Sequence, residues 1–184
     1  MIILRNDDVN PNTDAKQLEQ MYTMIRTLVP DVEIWSCVNF LAKTSSLQSV
    51  YPDIPLCNHS MEYFYDIDKL SMRHLDKIDL GTIVSHGLIH ANHKHMSVAM
   101  QEMSIISSCN YLKTKIFVAP FSGWNSDTER ICKFNGITLV KHDGWKSLES
   151  ENFDPAHKKW YFHSWRFTPE SLRKKFEPIF EKVA

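Results

Sequence analysis

The sequence predicts an α/β fold with a mostly parallel sheet, either an open layer or a barrel. Two observations predict it. Short apolar runs rich in β-branched and aromatic residues alternate with helical repeats along the chain. Polar clusters sit just beyond those runs, at Asp7-Asp8, His86 to His90, Pro120 to Asn125 and His163. In folds of this class functional groups collect where strands end, because the loops there vary while the sheet fixes their positions.

Each element follows from its residues. Ile2 to Leu4 is a short apolar run closing on Arg5-Asn6-Asp7-Asp8, as a buried strand does at a sheet edge. Asp14 to Leu28 carries Leu18, Met21, Tyr22, Ile25 and Leu28 at helical spacing until Pro30 stops it. Val32 to Phe40 reads as the second strand and Ile54 to Cys57 as a further short one, while Met61 to Lys77 leaves helix and strand open. Leu80 to Ser85 is a strand running straight into a histidine-rich loop. Helix is expected over Ser97 to Leu112 and over Ser126 to Phe134, the latter capped by Ser126 with Glu129 three residues on and ending near Gly136. Lys115 to Val118, Ile137 to Val140 and Trp160 to His163 complete the strands, and Pro169 to Val183 is a terminal amphipathic helix.

The bulk properties narrow the function. At 184 residues the chain has the length of a single domain spanning 1–184, and 43% hydrophobic residues give it enough apolar surface for one core. A formal net charge of -1 supplies no broad field to hold nucleic acid or an anionic membrane, so a neutral or zwitterionic partner is easier to accommodate. The apolar runs fall far short of the roughly 20 residues a membrane span needs. No basic segment followed by an apolar h-region opens the chain, and a cytoplasmic location is expected. Four scattered cysteines, Cys37, Cys57, Cys109 and Cys132, form no CxxC pair and are expected to be reduced, mostly buried thiols.

Two adjacent carboxylates on a continuing strand point in roughly opposite directions, yet a turn can aim both at one pocket. One of Asp7 and Asp8 could then bind a cation while the other takes a proton; as an isolated pair they equally suit a loop or helix cap. His86 and His90 are four apart, so on a helical turn their imidazoles share a face and can reach one ion at the ~2.0 to 2.1 Å that zinc prefers. Two imidazoles leave room for a carboxylate and a water, the open arrangement of catalytic zinc. His93 and His95 either extend that histidine set or belong to a solvated polar turn. His163, between Phe162 and Trp165, is a candidate proton carrier or a satisfied core histidine. Trp124, Trp145, Trp160 and Trp165 could stack on sugar rings or sit in the core.

Taken in order, Asp7-Asp8, Ser85-His86-Gly87-Leu88-Ile89-His90, Ala119-Pro120-Phe121-Ser122-Gly123 and His163 resemble the motif series of the polysaccharide deacetylase superfamily, the NodB-like carbohydrate esterases of family 4 type. The resemblance covers nearly the whole chain. It implies a distorted (β/α) barrel of about seven strands, with Asp7 as catalytic base, Asp8, His86 and His90 as metal ligands, and His163 as catalytic acid. It further implies a divalent cation, Zn2+ first with Co2+, Ni2+, Fe2+ or Mn2+ as alternatives, and hydrolysis of an N-acetyl group on a carbohydrate by metal-activated water. Pro120 and Phe121 fall in its groove-wall motif, and Trp124, Trp165 and Arg166 are the further candidate substrate contacts. Two departures stand out: Val9 replaces a common Gly, and no Arg opens the third motif to orient the base. Arg5, Lys141 and Arg166 are the candidates to replace that Arg. The same scaffold also accommodates hydrolysis of another C–N bond or an O-acetyl ester, or a non-catalytic glycan-binding role.

Overall fold

The structure, a computed structural model, describes residues 1–10, 13–40, 75–88 and 90–181. The strand expected at Ile54 to Cys57 and most of the ambiguous stretch beginning at Met61 lie outside these residues. The described strands are β1 (Ile2–Val9), β2 (Val32–Val38), β3 (Thr82–Ser85), β4 (Ile116–Val118), β5 (Thr138–Val140), β6 (Lys146–Ser147) and β7 (Lys159–His163). The helices are α1 (Ala15–Leu28), α2 (Val98–Tyr111), α3 (Ser126–Phe134) and α4 (Pro169–Glu181). Among the described residues, seven strands follow the order β5-β4-β3-β2-β1-β7-β6. The pairs β1–β7, β6–β7, β3–β4 and β4–β5 are parallel. The class is α/β with a parallel sheet, and the strand number matches what the resemblance implied.

The contacts divide the described residues into two compact units. One comprises 1–36, 75–82 and 143–181, the other 37–40 and 83–142. In the first, α1 turns Leu18, Met21, Tyr22 and Ile25 inward and packs beside α4. Phe153 stacks on Phe176 at 4.7 Å and meets Trp160 at 5.5 Å, which fixes α4 against β7. In the second, Ile105 and Cys109 of α2, Phe117 of β4, and Ile131 and Cys132 of α3 form one buried cluster with Ala119 and Ile137. Cys37, Cys109 and Cys132 are buried and in no disulfide, and burial pushes the Cys132 thiol up to about 12. Among the described residues no helix is long and apolar enough to cross a membrane.

Two local expectations are corrected. The first strand does not end at Leu4 but runs through the polar cluster to Val9. Its polar side chains are paired inside the fold: Asn6 Nδ2 donates to Tyr22 Oη of α1 at 3.0 Å, and Asn6 Oδ1 accepts from the Ser164 N–H just after β7 at 2.9 Å. The cap of α3 is Asn125 rather than Ser126. Asn125 Oδ1 accepts from the Thr128 N–H and Thr128 Oγ1 accepts from the Asn125 N–H, a reciprocal capping box one residue earlier than expected. Glu129 is instead paired with Lys141 at 2.6 Å.

Candidate active site

In the first unit, β1 carries Arg5 and Asp7 on the same face, because side chains two apart on a strand point the same way. Arg5 Nε lies 2.7 Å from Asp7 Oδ1, and Nη2 donates to Oδ2 at 2.8 Å, a two-pronged ion pair with both residues buried. The guanidinium lies 4.5 Å from the Trp145 ring centre and 5.5 Å from that of Tyr161, which stands opposite Arg5 in the β1–β7 register. Of the three basic residues proposed to replace the missing motif Arg, Arg5 is the one that grips Asp7.

Asp8 has φ 64, a left-handed conformation uncommon for a non-glycine residue though enriched for aspartate. This is the turn that frees Asp8 from simple alternation with Asp7. His163 stands opposite Asp7 in the register. Its Nδ1 is held by Glu149 Oε1, and its Nε2 lies 3.6 Å from Asp8 Oδ2. Arg166 Nη1 approaches Glu149 Oε2 at 3.4 Å. The guanidinium of Arg166 covers the Trp165 ring at 4.6 Å, and that ring lies 5.6 Å from His163. Trp165 is 46% exposed.

In the second unit, β3 ends at Ser85 and delivers His86 directly. His86 is fixed from two sides: its N–H donates to Val38 O at 2.7 Å, and its Nδ1 lies 2.8 Å from Val118 O. A carbonyl only accepts, so Nδ1 carries the proton and the ring lone pair is on Nε2. The spacing from His86 to His90 does not ride on a helical turn as expected. His86, Gly87, Leu88 and His90 lie outside any helix or strand, and Gly87 bends the backbone at φ 89. The two imidazoles nonetheless lie close, with ring centres 5.2 Å apart, and His90 contacts the Phe121 ring at 4.5 Å.

Pro120, Phe121 and Ser122 form a single tight turn. Phe121 at φ 56 and Ser122 at φ 52 are both left-handed, a strained pair of the kind that functional loops retain. Phe121 is 43% exposed, whereas Pro120 is buried. Gly123 closes the turn against the Asn92 side chain: a Cβ there would lie 2.0 Å from Asn92 Oδ1, so that side chain would have to shift. Trp124 packs on the buried cluster, with Lys141 Nζ 4.4 Å from its ring centre. His93 is fully buried rather than part of a solvated turn, and burial holds its pKa down at about 4, with the charges of His86 and His90 adding to the effect. His95 is exposed.

No family model and no curated protein matches this sequence. The structure, however, has the fold of the NodB-like polysaccharide deacetylases. It resembles a family 4 carbohydrate esterase from Streptomyces lividans (TM-score 0.55, 13% identity, covering 98% of this chain and 88% of that one). It also resembles the Bc1960 peptidoglycan N-acetylglucosamine deacetylase (TM-score 0.59, 11% identity, 100% and 83%). A third likeness is to BA3943 from Bacillus anthracis, described as a pseudoenzyme of the same family (TM-score 0.58, 10% identity, 98% and 61%). This chain therefore spans less than two thirds of that last relative's length.

Sequence reasoning named Asp7, Asp8, His86, His90 and His163, but missed Glu149 as the partner of His163. No spacing rule links residues 14 apart across β6 and β7. The Arg5–Asp7 pair did leave a signal, the strand period of two.

Proposed function

We propose that the chain, acting as one polysaccharide-deacetylase-like domain, removes an N-acetyl group from a sugar with the help of a divalent cation held by Asp8, His86 and His90. The observation that carries this reading is the imidazole pair of His86 and His90, ring centres 5.2 Å apart, to which Asp8 would add the carboxylate that the motif series assigns to the same ion. That set suits a catalytic cation, zinc first, because it leaves coordination positions open. The Nδ1 bond of His86 to Val118 also fits, since imidazole ligands are ordinarily oriented through their second nitrogen.

When bound, such a cation acidifies water and polarises the acetamide carbonyl. The chain's own residues supply the rest. Asp7, oriented by Nε and Nη2 of Arg5, accepts the proton that the attacking water gives up. His163, anchored at Nδ1 by Glu149, presents Nε2 to give a proton to the departing amine. Phe121 and Trp165 are partly exposed rings on which a sugar would stack, with buried Pro120 opening the Phe121 turn and the Arg166 guanidinium over the Trp165 ring.

The test is acetate release from N-acetylglucosamine oligomers, run beside metal analysis of freshly purified protein. Wild type is expected to carry about one equivalent of divalent metal and to lose turnover on chelation. Asp7→Asn is expected to keep the metal and lose at least ~10²-fold in kcat, the scale of a general base. An Asp7→Asn variant with unchanged turnover overturns the role of Asp7. A second reading, a glycan-binding protein without turnover, is favoured by the two-pronged engagement of Asp7. It predicts wild type that binds these oligomers yet releases no acetate.

A further inference from the structure

We propose that His93 is the positioning residue of the His86–His90 loop: a buried hydrogen-bonded ring through His93 and Ser104 holds the chain on both sides of His90. The inference rests on the metal reading above and adds to it a residue outside the ligand set.

His93 Nδ1 lies 2.9 Å from Ala91 O, an acceptor, so Nδ1 carries the ring proton. Nε2 is then the acceptor, and it receives the Ser104 hydroxyl at 3.1 Å. The same hydroxyl oxygen accepts from the Leu88 N–H at 3.0 Å. The bonds therefore run from Leu88 through Ser104 and His93 to Ala91, and Leu88 and Ala91 lie on either side of His90 in the chain. Both nitrogens of His93 are committed, which removes it from the set of ligands that the histidine spacing allowed.

The ring is rigid for physical reasons. His93 and Ser104 are fully buried, so the loss of any one bond strands a polar atom away from water. Phe117 of β4 meets the His93 ring edge-on at 5.2 Å. Helix α2 supplies Ser104 and, one turn later, Ser108, whose hydroxyl pairs with Ser85 Oγ at 2.6 Å, just before His86. The loop thus hangs from one helix face at both ends. Burial also keeps His93 neutral at ordinary pH, so the direction of its hydrogen bonds does not reverse.

The experiment is titration of metal-free protein with Co2+, following affinity and the visible absorption of the bound ion, which reports ligand geometry. Wild type is expected to bind one Co2+. His93→Ala, with helical content retained by circular dichroism, is expected to bind ~10- to 100-fold more weakly and with altered bands, the usual scale for residues that orient metal ligands. His93→Gln, long enough to reach Ser104, is expected to recover most of the affinity. Ser104→Ala is expected to reproduce the loss of His93→Ala, and the double variant to add little to either. The exposed His95→Ala is the control and should match wild type. Should His93→Ala not fold, His93→Gln and Ser104→Ala decide the matter. Variants of His93 and Ser104 that bind Co2+ with wild-type affinity and bands overturn this inference alone. Wild type that binds no Co2+ overturns the metal reading itself, and the inference with it.

Discussion

At the scale of single residues, the site is built from charges and imidazoles whose partners are inside the fold. Arg5 is 2% exposed and Asp7 6%, so neither charge has water to fall back on. Removing one member of such a pair leaves the other uncompensated, which costs about 3 to 5 kcal/mol, while removing both is far less damaging. Urea denaturation of Arg5→Ala, Asp7→Asn and the double variant is therefore expected to show a large favourable coupling. Additive effects would mean that the pair is not the unit that matters. His93 gives a prediction in pH. Its folded pKa of about 4 lies below the ordinary 6.5, so between these values the unfolded chain binds the extra proton. Stability from this group is complete above pH 6.5 and is lost as pH falls towards 4. The total is on the order of 3 kcal/mol. His93→Gln should flatten that acid limb in denaturation curves taken from pH 7 to 4.5, and an unchanged limb would mean that another group titrates there.

At the scale of elements, what the sequence revealed and what it hid have definite causes. Helices α1 and α2 were legible to within a residue or two because a turn signal or capping residue, Asp14 or Ser97, precedes each apolar repeat. Strand β1 was read short because periodicity marks apolar residues, whereas Arg5, Asn6 and Asp7 are buried by pairing rather than by hydrophobicity. Strand β6 is two residues long and leaves no period at all. The turn at Pro120 to Gly123 was seen as a motif, but the reason for its glycine lies in Asn92, some thirty residues earlier in the chain. That contact makes a prediction. Gly123→Ala drives a Cβ into Asn92 Oδ1 and should cost about 1 to 3 kcal/mol, visible as a fall in Tm. Asn92→Gly in the same chain should recover part of the loss, although it also forfeits the cap that Asn92 gives to the Lys94 N–H. Failure of the second substitution to restore any stability would show that the close approach is not what demands glycine.

At the scale of the whole molecule, the candidate residues were legible as an ordered series: four polar clusters follow predicted strands, where folds of this class carry functional groups, and their order resembles one superfamily's motifs. The supports of those groups were not legible. Glu149, Ser104 and Val118 act through contacts that no local pattern encodes, and two of the three atoms involved are generic, a hydroxyl and a main-chain carbonyl. The consequence is thermodynamic. If Asp8, His86 and His90 share a cation that the unfolded chain cannot hold, binding is folding free energy, worth about 2.7 kcal/mol at a hundred times the dissociation constant. For a chain of this length each kcal/mol moves Tm by roughly 2 to 4 °C, so saturating Zn2+ should raise it by about 5 to 10 °C. Chelation should reverse the rise, and Asp8→Asn, His86→Ala and His90→Ala should each abolish most of it. The three variants are informative as a set. Loss of the shift in the two histidine variants but not in Asp8→Asn would locate an ion on the imidazoles without the carboxylate, and the deacetylase reading would lose the ligand that ties β1 to the chemistry.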